Sequence, residues 1–292
     1  MTRVFADQPA IGPVSLKVDA MGLFARELGP ADAPTILFLH GAERSGRSWQ
    51  PVIELLPHYR CLFPDLPQHG ESAQEGPFSI DRAATAVAEL LQVNSGSGRV
   101  HLVAHSLGAQ VGTQLLATKP HLFDRAVLCG TIINTLPGVW LTRRLLGAVA
   151  GISRSFEMSQ SNREKTRPIG VASTEDGDDP DGVRLMPAGR YSEIVVASAG
   201  FTLPEGLETS ASPTLVLTGA AEPGFVHESA TALQRRMPNA VAGIARGARH
   251  NWPLRHPVIF ARTIDGWLTG VALPDEIEMS PPVPNQPEPP QA

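Results

Sequence analysis

Apolar positions along the chain fall into short bursts whose spacing changes from strand-like to helix-like and back. Residues 14–19 (VSLKVD) and 22–29 (GLFARELG) predict two short strands joined by a turn. After Pro34, the unbroken apolar run 35–40 (TILFLH) predicts a strand buried on both faces. A Gly/Ser-rich loop leads to SWQPVIELL, a short helix, and then to a strand over 59–66 (YRCLFPDL). The clearest helix covers 79–93, where Ile80, Ala84, Val87, Leu90 and Leu91 recur at helical spacing. Strand 99–106 runs without a break into a helix over 107–118, which Pro120 stops, and strand 124–130 follows. From Thr131 to about Ser212 the alternation lapses into helix-like pieces at 139–150, roughly 156–165 and 188–199, with the acidic loop EDGDDPD among them. It returns as strand 214–219, helix 227–237, strand 240–246 and helix 257–268. Strands and helices alternating through short connections predict a parallel sheet covered on both faces, interrupted by one helical insertion.

Composition narrows the function classes. The chain has 292 residues, 42% of them hydrophobic, enough for a sizeable core. Its formal charge of −5 owes much to acids gathered in 175–181 and 274–292, and the remainder is slightly basic. The basic residues are scattered, so neither a nucleic-acid face nor an anionic-membrane face is expected, and a small-molecule partner is the default. No apolar run approaches the ~18 residues of a membrane span. No basic segment followed by an apolar stretch opens the chain, so a cytoplasmic location is expected. Cys61 and Cys129 lie inside strand-like runs, where a thiol acts as a small hydrophobe rather than part of a disulfide framework. The last 19 residues hold seven Pro, four acids and no basic residue, a composition unable to order itself. The expected organisation is a core of residues 1–130 and 213–272, a helical cap at 131–212 and a Pro-rich disordered tail at 273–292.

The strongest chemical signal is Ala104-His105-Ser106-Leu107-Gly108 at a strand-to-helix junction. A serine there sits on a sharp turn with its oxygen exposed at the sheet edge, and the small residues two before and two after permit the tight backbone. A serine hydroxyl needs a base, and His250, in GARHNWPLRHP between the last strand and the last helix, is placed to supply one. An imidazole in that role needs an orienting acid. Glu222, in GAAEPG, is the first carboxylate beyond strand 214–219; Glu228, inside the next helix, is its rival, and GTIINTLPG after strand 124–130 contains none. Acyl chemistry also needs N–H donors for a developing oxyanion, and the backbones of Leu107 and Ala42 are positioned for it. Trp49, Trp140 and Trp252 are candidates for lining an apolar substrate pocket, with buried packing the alternative. His40, His69, His105 and Asp65 read as residues that organise loops or pack, and His256 as a residue ahead of the final helix.

Taken together, LHGA (39–42), PDLPQHGES (64–72), AHSLG (104–108), PTLVLTGAAE (213–222) and ARHNWPLRHP (248–257) resemble the α/β-hydrolase fold family over roughly 14–270. The resemblance implies an α/β fold with a mostly parallel, eight-stranded sheet flanked by helices and a helical cap after strand 6. It also implies a catalytic triad of Ser106, Glu222 and His250, in that chain order, with no cofactor and no metal. Ala104 departs from the family's usual Gly and Glu222 from its commoner Asp. A serine at the elbow sets aside the relatives that attack with an Asp. The activity to be expected is hydrolysis of an ester of a small, largely apolar molecule through an acyl-enzyme. Thioesterases, carbon–carbon bond hydrolases, cofactor-free peroxidase-like enzymes and non-catalytic ligand-binding proteins on the same fold are the alternatives.

Overall fold

A computed structural model describes residues 14–17, 23–42, 44–74, 76–94, 98–133 and 188–281. The eight predicted strands are β1 (Val14–Lys17), β2 (Phe24–Leu28), β3 (Thr35–Leu39), β4 (Arg60–Pro64), β5 (Val100–His105), β6 (Phe123–Cys129), β7 (Thr214–Gly219) and β8 (Ala240–Ala245). They form one sheet with a ninth, β9 (Ile277–Met279), in the order β1-β2-β4-β3-β5-β6-β7-β8-β9. Strands β3 to β8 run parallel, while β1, β2 and β9 are antiparallel to their neighbours.

The helices explain why the central strands carry no polar face. Ile36, Phe38, Val103, Val127, Leu215 and Leu217 enter one buried cluster, covered by α1 (Gln50–Ile53), by a short helix at Trp252–Arg255 and by a long one at Pro257–Thr269. Their neighbours Leu37, Leu39, Leu102, Ala104, Leu128 and Val216 enter the opposite cluster with α2 (Ile80–Asn94) and α3 (Leu107–Thr118). Side chains alternate between faces along a strand, and burial of both faces turns that alternation into a continuous apolar run.

Helix α3 approaches the sheet closely at two glycines. A Cβ on Gly108 would lie 2.3 Å from the Leu39 carbonyl oxygen. On Gly112 it would lie 3.3 Å from the methyl of Ala104, so the space that Ala104 occupies is left open by the glycine across from it.

The insertion after β6 is described only at its ends. Helix α4 (Ala188–Ala199) matches the predicted piece at 188–199; those at 139–150 and 156–165, and the acidic loop, lie outside the described residues. Gln110, fully buried on α3, donates from Nε2 to the carbonyls of Ile132 (2.7 Å) and Ser198 (3.0 Å), joining the chain that leaves β6 to the last turn of α4. Helix α5 (Gly224–Arg236) begins three residues ahead of the expected 227, with Pro223 at its N-cap position and the Pro223 carbonyl accepting from the Val226 N–H at 2.9 Å; the two helices after β8 are α6 (Trp252–Arg255) and α7 (Pro257–Thr269). Among the described residues no helix is long and apolar enough to cross a membrane.

The disordered tail expected over 273–292 needs correction at its start. Within it, β9 pairs with β8 through Gly243–Met279, Ile244–Glu278 and Ala245–Ile277, and Ile277 is buried. The Arg246 N–H donates to the Glu276 carbonyl at 2.9 Å and the Ser280 N–H to the Ala242 carbonyl at 2.8 Å. The Pro and acid content of the whole segment masked this short alternation of acidic and apolar residues, EIEM, which covers an edge strand. Residues 282–292 lie outside the described residues. Truncation after Leu273 should therefore lower the melting temperature by about 5–10 °C, from loss of about 2 kcal/mol of Ile277 burial and of ladder bonds at about 1 kcal/mol each. Truncation after Pro281 should leave it unchanged, and differential scanning fluorimetry of the two variants beside the full chain checks both.

Candidate active site

The loops after β5, β7 and β8 meet at the carboxyl edge of the sheet, where ligands of open α/β sheets bind. Ser106 takes the turn between β5 and α3 with φ 54° and ψ −116°, a strained conformation for a residue with a Cβ. The turn is held by the Ser106 N–H, which donates to the Cys129 carbonyl at 2.9 Å, and by the Ser106 carbonyl, which accepts from Ala109 (2.9 Å) and Gln110 (3.1 Å).

Ser106 Oγ donates to His250 Nε2 at 2.9 Å. His250 Nδ1 then carries the proton and donates to Glu222 Oε1 at 2.5 Å. Glu222 is itself fixed. Its Oε2 accepts from the Gly219 N–H at 2.6 Å, its own N–H donates to the Gly219 carbonyl at 3.0 Å, and its side chain is fully buried. That turn folds the longer glutamate arm back toward β7, leaving the carboxylate level with the imidazole. Glu228 is exposed on α5. The three residues expected to act as nucleophile, acid and base are therefore brought together, and Glu222 rather than Glu228 faces the imidazole.

The strand between Ser106 and Glu222 leaves room for them. Gly130, directly after β6 with φ +63°, would with a Cβ stand 2.9 Å from His250 Cε1 and 3.4 Å from Glu222 Oε1. Nothing in the sequence around Gly130 marks it. Cys129, next to it, is buried, and desolvation followed by the Glu222 carboxylate pushes its thiol pKa well up, so it stays protonated beside the site.

The two expected oxyanion donors flank the serine. Leu107 opens α3, where first-turn N–H groups have no intrahelical acceptor. Ala42 follows Gly41, whose backbone comes so near that a Cβ there would lie 3.3 Å from the Ser106 Cβ. His40 and Asp65 brace this loop, as read from the sequence. The Leu66 N–H donates to His40 Nε2 at 2.9 Å, so His40 Nδ1 bears the proton and donates to the Gly41 carbonyl at 2.8 Å. Asp65 accepts from the N–H groups of Gly46 (2.7 Å) and Glu71 (2.8 Å) and from Arg26 Nη1 (3.0 Å). His69 donates from Nδ1 to the Pro67 carbonyl at 2.9 Å, and burial lowers its pKa to about 3, which keeps it neutral.

Two of the candidate pocket residues prove to be core. Trp49 stacks on Phe260 at 5.7 Å, Trp252 meets the same ring edge-on at 5.1 Å, and both are buried in the cluster beneath the sheet. The alternation of the strands sends their face of the sheet toward α6 and α7, away from the mouth of the site. Trp140 lies outside the described residues. Among the described residues no group of three or more His, Cys, Asp or Glu is placed to hold a metal ion.

The sequence model of the alpha/beta hydrolase family matches residues 36–263, from within β3 to within α7. The chain belongs to the alpha/beta hydrolase family. An AB hydrolase superfamily protein of Gibberella zeae is 28% identical over 260 residues, covering 85% of this chain and 84% of that protein. The lipase LipV of Mycobacterium tuberculosis is 37% identical over 106 residues, 36% of this chain and 40% of the lipase. Among solved alpha/beta hydrolase structures, the enol-lactonase of Burkholderia xenovorans superposes with a TM-score of 0.65 over 88% of this chain and 100% of the lactonase, at 22% identity, a likeness of fold.

Proposed function

We propose that this protein is a serine hydrolase that cleaves an ester bond of a small, largely apolar molecule through an acyl-enzyme intermediate. The observation that carries this reading is the hydrogen-bond chain from Ser106 through His250 to Glu222. Ser106 Oγ attacks the ester carbonyl carbon while His250 Nε2 takes its proton. Buried Glu222 holds the imidazole by Nδ1–H and stabilises the imidazolium. The N–H groups of Leu107 and Ala42 receive the oxyanion. Collapse of the tetrahedral intermediate expels the alcohol, which takes the proton from His250. A water, deprotonated by the same imidazole, then releases the acid and restores Ser106.

An apolar substrate is favoured by what adjoins the serine in the chain and in space: Leu107 follows it directly, and Ala42, next to the Gly41 that nears the Ser106 Cβ, packs against the apolar cluster that holds Leu107. The lipase and the lactonase that the chain is similar to are named for carboxylic esters, acyclic and cyclic. The test is intact-mass detection of a fluorophosphonate adduct, followed by turnover of a p-nitrophenyl ester series from acetate to octanoate. An adduct with ester turnover is expected. Absence of an adduct would make the chain a binding protein on this fold, and an adduct without ester turnover would move its substrate to the thioesters or to activated carbon–carbon bonds.

A further inference from the structure

His250 sits in a loop whose own geometry leaves its carbonyl short of a donor. In a helical turn the carbonyl of residue 250 would accept from residue 253 or 254. Residue 253 is Pro, with no N–H, and the Leu254 N–H turns instead to the Asn251 carbonyl at 3.1 Å, which also accepts from Arg255 at 3.2 Å. His105 fills the gap. Its Nε2–H donates to the His250 carbonyl at 2.9 Å, and the two rings lie 4.8 Å apart. The His105 ring is boxed in, with Trp49 edge-on at 6.4 Å and Nδ1 3.2 Å from where a Cβ on Gly41 would stand. From the other side, the Ala221 N–H, one residue before Glu222, donates to the Ala248 carbonyl at 2.9 Å. The loop bearing the base is thus fastened once from the acid side and once from the nucleophile side.

The geometry points to His105 as a positioning residue that, through the His250 carbonyl, sets the distance between the His250 imidazole and Ser106 Oγ. The role rests on the serine-hydrolase reading. His105 adjoins Ser106 in the chain, so the strut fixes the base relative to the strand end that presents the nucleophile. Its state suits the task. Burial, then the nearby His250, lowers the His105 pKa to about 3, so the ring remains neutral at working pH. A neutral neighbour adds no charge against the imidazolium that His250 becomes during turnover, which a lysine or arginine at 105 would do.

The experiment compares His105→Phe, which keeps an aromatic ring but lacks the donor, with His105→Gln, whose Nε2–H reaches about as far as that of histidine. Fluorophosphonate labelling rate, kcat and KM are read for both beside the unmodified protein, with melting temperature as the control for folding. His105→Phe should lose roughly 10–100-fold in kcat and in labelling rate with KM within about threefold, the expected cost of a misplaced base. His105→Gln should recover to within about fivefold of the parent. Adding Pro253→Ala to His105→Phe, which returns an N–H beneath the same carbonyl, should recover part of the loss. If the phenyl variant fails to fold, His105→Leu stands in for it. Equal losses in the donor-bearing and donor-lacking variants, or a donor-lacking variant within threefold of the parent, would overturn the strut while leaving the labelled parent a serine hydrolase. An unmodified protein that takes no adduct overturns both readings.

Discussion

Replacing Ser106 with alanine is expected to abolish fluorophosphonate labelling and to lower ester turnover by roughly 10⁶, with the melting temperature close to that of the parent. The size of the loss follows from the arrangement. In the proposed mechanism His250 and Glu222 move one proton, and without Oγ there is no proton to move and no acyl group to hold. The fold should not notice, because the turn is built from backbone bonds to Cys129, Ala109 and Gln110 that alanine makes equally well. A sharper form of the prediction uses Ser106→Gly. At φ 54° a Cβ costs about 1–2 kcal/mol that glycine does not incur, so the glycine variant should be as inactive as alanine yet melt about 2–4 °C higher. Retained turnover in a folded Ser106→Ala protein would end the mechanism proposed here.

Glu222→Gln is the next largest effect, a loss of roughly 10²–10⁴ in kcat. Glu222 accepts two N–H bonds, one on each oxygen, from His250 Nδ1 and from the Gly219 backbone. An amide offers one oxygen and one NH2 group, so in either orientation a donor meets a donor in a buried place. Facing Gly219 with its NH2 strands the backbone N–H, at about 1–3 kcal/mol of stability. Facing His250 with it favours the tautomer in which Nε2 carries the proton and is no base for Ser106. Glu228→Gln, at an exposed position of α5, should leave turnover within twofold. Glu222→Asp keeps both acceptors on a shorter arm and should fall between parent and amide. Steady-state kinetics and thermal melts of the three proteins decide the matter, and a larger defect at Glu228 would transfer the orienting role to it.

What could be read from residues alone was set by how local each signal is. The central strands were legible because burial on both faces writes itself into consecutive positions, as in 35–40 and 214–219. Ser106 was legible because a strand, a turn and a helix follow one another within a few residues, and His250 and Glu222 because each is tied to a strand end. The ninth strand was not, since three residues in a Pro-rich segment carry no period; it forms because β8 offers an unpaired edge. Trp49 and Trp252 could be assigned to core or pocket only once the register of the sheet had fixed which face each helix covers. The contact from His105 to the His250 carbonyl spans 145 positions and involves a main-chain atom, which no residue pattern records.

Gln110 suggests where this enzyme family can be recombined. One buried amide holds both the outgoing chain at Ile132 and the returning chain at Ser198, so the two ends of the cap insert are already brought together by the core. Closing a loop whose ends are pinned costs little more as it lengthens, about 0.6 kcal/mol for each doubling. A chimera that keeps Gln110, Ile132 and the last turn of α4, and exchanges only what lies between, inherits that closure together with an untouched Ser106 turn. Gln110 shares that fastening with the Gln68 amide, which donates to Glu193 on α4, and with the Ser229 hydroxyl, which accepts from the Ile133 N–H, so a chimera should leave all three in place.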